Sequence, residues 1–170
     1  MMRALALAFA LIRLAGGFPG GSAGDKASLR PGDFVLVKTL TAAGASGWTD
    51  TGLEVRAGEE FWFEASGTIC LQTGNEEAYC GPEGIQVRTM QQPLPESNLG
   101  CLVGRVLREV VIVEDPKTKE KTVREYGVAF PIGKAGPAVI PADGRLFLGP
   151  NENVTGDNDG AFAVRVYRRG

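Results

Sequence analysis

The 170-residue chain contains no histidine. That absence removes Ser-His-Asp and Cys-His nucleophilic sites, and it takes imidazole out of any metal centre. Cysteine is scarce as well. Three residues with no C-x-x-C spacing argue against a zinc cluster or a thioredoxin-like centre. Neither sign of charge dominates, and a net −2 gives no electrostatic reason to expect a nucleic-acid partner. Long apolar runs are missing too: the stretch Ala4 to Ile12 falls far below the ~20 residues that span a bilayer. No segment carries a sustained helical period. What survives these exclusions is acid–base chemistry by paired carboxylates and a hard-cation site built from oxygen ligands.

What is present describes a globular domain with one core. Hydrophobic residues make up 44% of the chain and charged residues 22%, which excludes wholesale disorder. The 24 glycines and 10 prolines are spread along it, the pattern of many short strands joined by tight turns. The N-terminus reads as an export signal: Arg3, the apolar run, then small residues ending in Ser22-Ala23-Gly24 before Asp25. Arg13 interrupts that run, and a plain N-terminal tail is the other reading of it. The chain therefore divides into a signal peptide 1–24, a linker 25–32 and a β-sandwich domain 33–170, with a secreted or periplasmic destination.

Period-two alternation recurs through the domain. Phe34, Leu36 and Leu40 share one parity; Phe61, Phe63 and Ala65 alternate with Trp62 and Glu64. Leu146 with Leu148, and Phe162 with Val164 and Val166, repeat the pattern of a half-buried strand. Turn residues separate these runs at Pro31-Gly32-Asp33, Ala57-Gly58, Gly81-Pro82-Glu83-Gly84 and Ala142-Asp143-Gly144. The expected fold is all-β, a small antiparallel sandwich. One hairpin stands apart, Glu109–Glu114 and Lys121–Tyr126 around a charged turn, and Met90 to Asn98 reads as an irregular surface loop.

The densest polar stretch is Asn151 to Gly160. Asn151, Glu152, Asn153, Asp157, Asn158 and Asp159 all offer carboxylate or amide oxygens, and calcium takes 6–8 oxygen ligands, backbone carbonyls included. The spacing is not that of an EF-hand, since Val166 falls where the bidentate glutamate should be. Asn, Asp and Gly are also the residues of plain Asx-turns, so composition leaves metal loop and simple turn both open. Asn153-Val154-Thr155 matches a glycosylation sequon, a pattern common by chance.

Gly47-Trp48-Thr49-Asp50-Thr51-Gly52-Leu53-Glu54-Val55, then Ala57-Gly58 and Glu64-Ala65-Ser66-Gly67, resemble the opening of the PA-IL-like lectins, calcium-dependent galactose-binding β-sandwiches. Gly81-Pro82-Glu83-Gly84, Leu102-Val103-Gly104-Arg105-Val106 and Phe130-Pro131-Ile132-Gly133 resemble later pieces of the same family in order. So does Gly144 to Gly149, followed by Asn151-Glu152 and Asp157-Asn158-Asp159-Gly160-Ala161-Phe162. The resemblance implies a galactose-binding-like or jelly-roll sandwich, with the hairpin 109–126 as an insertion. It implies Ca2+ as cofactor, held by the side chains of Glu152, Asp157 and Asn158 and the carbonyls of Val154 and Leu71. Two hydroxyls of a carbohydrate, a galactose-like sugar in the family, complete the coordination, which makes Asp157 and Asn158 sugar-binding positions too. Glu152 replaces the family's aspartate, the loop to Asp157 is shorter, and the histidine of the sugar-contact loop has no counterpart.

Tyr79 is the aromatic best placed in sequence to stack on a sugar; Trp48 and Trp62 sit in motifs that read as packing. Cys70 and Cys80 bracket the polar loop Gln72 to Tyr79, and in an exported chain a disulfide between them is expected, with Cys101 a buried free thiol. On the chain-entropy account that bond would stabilise the fold by about 3 kcal/mol. Three functions remain: a calcium-dependent carbohydrate-binding module, a structural or interaction sandwich without sugar recognition, and a glycoside hydrolase using Glu76 and Glu77. The last is weakest, because adjacent acids on one loop are usually solvated. The lectin reading carries no catalytic residues, and a homo-oligomer is compatible with each.

Overall fold

A computed structural model of the protein describes residues 31–90 and 92–170. The expected signal peptide, and most of the linker, lie outside them. The described residues form two antiparallel sheets packed as a sandwich. The strands are β1 (Phe34–Ala43), β2 (Thr49–Val55), β3 (Glu60–Cys70), β4 (Tyr79–Cys80), β5 (Leu102–Glu114), β6 (Lys121–Pro131), β7 (Ala135–Val139), β8 (Gly144–Pro150) and β9 (Asp159–Arg169). One sheet runs β1-β9-β3, with β4 and β7 sharing the far edge of β3 at its two ends; the other runs β2-β8-β5-β6. Among the described residues no helix is long and apolar enough to cross a membrane.

Alternation decides which faces meet. Phe61, Phe63, Ala65 and Ile69 of β3 point inward beside Phe162, Val164 and Val166 of β9, and they meet Leu146, Leu148 and Val106 from the other sheet. Each fully buried Phe, Leu or Val in this layer contributes roughly 1.5–3 kcal/mol. Where the alternation is interrupted, the sequence reading fails. A bulge between Leu36 and Lys38 shifts the register of β1 against β9, so Leu40 and Ala42 stand beside the buried Val164 and Phe162. Phe34 and Leu36 instead stand beside Arg169 and Tyr167, Phe34 covered there by Trp62 and Leu36 half exposed. The hairpin is as expected: β5 and β6 continue beyond the sandwich and close through the turn at 115–120, where Asp115 Oδ1 accepts from the N–H groups of Lys117 and Thr118.

The Cys70–Cys80 disulfide is not formed; all three cysteines are free and buried. Register gives the reason. Cys80 pairs with Ile69 and Cys70 with Tyr79, so the two cysteines occupy adjacent rungs and their side chains leave opposite faces of the sheet. The Cys70 thiol turns toward the carbonyl of Gln72 at 3.1 Å, whereas the Cys80 thiol lies on the core side near Gly100. Burial pushes the thiols of Cys80 and Cys101 up to about 11, which keeps both protonated and unreactive.

Candidate functional site

The loop 151–158 joins β8 to β9 at one end of the sandwich, and two glycines fix its ends. A Cβ on Gly149 would lie 1.9 Å from the carbonyl oxygen of Gly47, so only glycine lets β8 pass the segment leading into β2. Gly160 has φ of 78°, and a Cβ there would lie 2.4 Å from the carbonyl oxygen of Thr68. Between them the chain folds back on itself through the Asn158 N–H to Thr155 carbonyl bond.

Asn151 opens this loop and is fully buried. Its Oδ1 accepts from the N–H of Leu94 at 2.8 Å, and its Nδ2 donates to the carbonyls of Leu94 and Asn98 at 2.9 and 3.1 Å. These bonds occupy the amide, which makes Asn151 a clamp on the 90s segment and not a metal ligand. The same segment proves less irregular than its sequence. Gln92 is buried and donates to the carbonyls of Leu94 and Ser97.

Glu152, the residue after Asn151, meets Asn158 from the far end of the loop, with the charge of Asp157 nearby. Asn158 is buried, and its Nδ2 donates to Glu152 Oε2 at 2.8 Å and to the Gly44 carbonyl at 3.3 Å. Only the amino end of the amide can serve two acceptors, so Oδ1 faces the remaining direction, where it is buried with no hydrogen-bond partner. Burial raises the Glu152 carboxyl above its ordinary 4.5; the amide bond from Asn158 opposes this, and the nearby charge of Asp157 adds to it. Asp157 itself is exposed, and its carbonyl accepts from both the N–H and the hydroxyl of Thr73. That double bond ties the loop to the 71–79 segment, which the Leu71 N–H to Ala78 carbonyl bond closes.

The remaining expected positions spread outward from this group. Leu71 is buried in the core, and the exposed Val154 lines a cleft of about 430 Å³ with Glu152, Asn153, Thr89, Gln92 and Leu99. Tyr79 is 58% exposed and stands on the row Tyr79–Cys70–Asp159, so two strand spacings, roughly 10 Å, separate it from the start of β9. Asp159 Oδ1 accepts from Gly160 N–H. Trp62 packs on Phe34 with ring centres 6.1 Å apart, and the Arg105 guanidinium lies 5.6 Å from the Trp48 ring, so both indoles serve packing. Glu76 and Glu77 share one exposed turn whose N–H at Glu77 is capped by Asn75. Sequence reasoning did not assign Thr89, Gln92 and Leu99 to the site. The one signal was their placement in or beside a long loop at the binding end of a sandwich.

Among the described residues no three His, Cys, Asp or Glu side chains gather as a metal group. Calcium, however, accepts amide and carbonyl oxygens beside carboxylates. A buried acceptor without a donor costs about 1–3 kcal/mol. Asn158 Oδ1, on an amide whose Nδ2 meets the Glu152 carboxylate, is an oxygen of the type a hard cation would satisfy, so this pair is chemically compatible with one.

No protein-family model matches the sequence, and no curated protein does. Among solved structures the chain is similar to one described as the EclA N-terminal domain, a PllA-like lectin. The TM-score is 0.54 and the identity 23%, over 78% of this chain and 97% of that one. At that identity the likeness establishes a shared lectin-type sandwich, and nothing about ligands.

Proposed function

We propose that this chain is a non-catalytic, calcium-dependent carbohydrate-binding module whose site is formed by Glu152, Asp157 and Asn158, with the carbonyls of Val154 and Leu71. The observation that carries the reading is the unpartnered, buried Oδ1 of Asn158, an amide whose other end is held by the half-buried Glu152 carboxylate. The lectin-type fold supports it from a second direction. A bound calcium ion supplies exchangeable positions that vicinal sugar hydroxyls can fill. The chain's own part is to hold the oxygens. Asn158 is anchored by Gly44, Asp157 by Thr73, and the cleft beside Glu152, which Thr89, Gln92, Asn153 and Val154 line, gives a sugar room to approach. Tyr79 supplies an exposed ring at the margin.

A second reading, a structural or interaction sandwich without sugar binding, is favoured by the Asn158–Glu152 hydrogen bond, which lets the pair satisfy part of its polarity without an ion. One experiment separates the two. A glycan array run with calcium and with chelator should show binding only with calcium. A calcium-dependent rise in melting temperature without response to any glycan supports the second reading, and no response to either removes the first.

A further inference from the structure

The β5–β6 arm is the largest part of the molecule that the carbohydrate-binding reading leaves unexplained. β6 ends its sheet, and among the described residues no strand pairs with its outer edge. Along the arm Ile112 is 65% and Val123 60% exposed, and they face each other across the ladder with Val110 on the same face, also exposed. An isolated two-stranded ribbon is marginally stable in water, and a long open edge invites pairing. We propose that β6 pairs antiparallel with β6 of a second copy of this chain, centred on Val123, joining two four-stranded sheets into one.

Symmetry and charge together select that register. A two-fold axis normal to a sheet keeps each side chain on its own face, so only positions of like parity can oppose each other. Centring on Val123 sets Lys121 against Glu125 of the second copy, twice, on the face carrying Val123. It also sets Thr122 against Arg124 on the other face. Moving the centre one residue onward stacks Arg124 on Arg124, and one further stacks Glu125 on Glu125, each a like-charge pair. Moving it back to Thr122 sets Lys121 against Val123 and loses both ion pairs. Within one copy Glu125 already meets Arg105 at 3.1 Å while remaining half exposed, so it is held in place with room for a second cation. The paired edge would bring the Val123 side chains together and extend the apolar strip of Val110 and Ile112 across both copies.

Sedimentation of the full chain over the micromolar range tests this. The expected result is a concentration-dependent monomer–dimer equilibrium. K121E sets Glu against Glu twice and should weaken the dimer roughly tenfold or more, and E125K should do the same. The double variant K121E/E125K recreates both ion pairs and should recover dimerisation. V123K places two lysines on the axis and should leave monomers, with an unchanged circular dichroism spectrum showing that the sandwich persists. A wild type that stays monomeric overturns the proposal. So does a dimer indifferent to K121E and V123K, or a double variant that fails to recover what the singles lose. None of these outcomes depends on calcium or sugar, so the arm and the carbohydrate site stand or fall separately.

Discussion

Asn151 and Asn158 occupy the two ends of one loop, both buried, and their surroundings give them opposite parts. Every polar atom of the Asn151 amide meets a backbone group, and the segment it holds is fixed by those bonds. Asn158 gives its amino group to two acceptors and leaves its oxygen without a donor. The difference teaches that an asparagine in a polar loop is read by its unmet valence and not by its company. A saturated amide is architecture, and a half-saturated one is the place to test for a ligand.

The sharpest way to break that contrast is Asn151→Ala. It leaves the Leu94 N–H and two carbonyls unpaired, so a loss of about 3 kcal/mol is expected, seen as a melting temperature lower by roughly 10 °C whether or not calcium is present. Little change on thermal melting would mean that Asn151 is not the clamp. Next in size is calcium itself. At a hundredfold excess over Kd it should stabilise the wild type by about 2.7 kcal/mol. Asp157→Ala should lose that gain at little cost in chelator, since Thr73 is held by the Asp157 carbonyl, which the substitution keeps. Asn158→Ala should lose it too, with a modest cost of about 1 kcal/mol from its missing donor. Equal calcium binding by the wild type and Asp157→Ala in calorimetry would end the cation reading.

Smaller still is the pH effect. The Glu152 carboxyl holds its proton more tightly in the folded state, so calcium-free stability falls as pH rises from 4.5 through its raised value, and calcium binding strengthens over the same window. Glu152→Gln should remove both trends in chemical denaturation. Asp50 gives the opposite sign: its hydrogen bonds from Arg145 and then from the Gly52 N–H hold its carboxyl below 3.8. Its contribution is present above 3.8 and fades as pH falls past its lowered value. Arg145→Ala, which removes an exposed pair with Asp50 on the other sheet's edge strand β2, is the smallest expected effect and should leave the calcium response untouched.

Much of the sandwich was legible because strands with strict alternation announce their buried face. β3, β8 and β9 do so, and the arm was readable from two β-prone runs flanking a charged turn. β1 was misjudged at Leu36 because a bulge inserts one residue, and nothing local to the sequence marks it. Of the candidate site, the oxygen-bearing side chains and the ordered lectin-like pieces singled out Glu152, Asp157 and Asn158, and the structure brings Glu152 and Asn158 into contact. Asn151 was assigned to the same pool because its true partners, Leu94 and Asn98, are distant in sequence and set by the fold. The disulfide failed for a related reason. Nearness along the chain says nothing about parity, and Cys70 and Cys80 stand one rung apart.

That parity gives the cysteines a use as a clock. With Cys70 and Cys80 on opposite faces of a closed ladder, no thiol pair needs oxidising for the chain to fold, and reductant should leave its melting unchanged. Each thiol is shielded by packing, so an alkylating reagent reaches it only when its neighbourhood opens. Labelling of Cys70 would time the opening of the turn beside the candidate calcium loop, labelling of Cys80 the parting of the core around it, and Cys101 the release of the segment before β5 that Asn151 bonds through its backbone. One chain thus carries three separate timers of its own fluctuations, all within reach of the loop whose ligand is to be found.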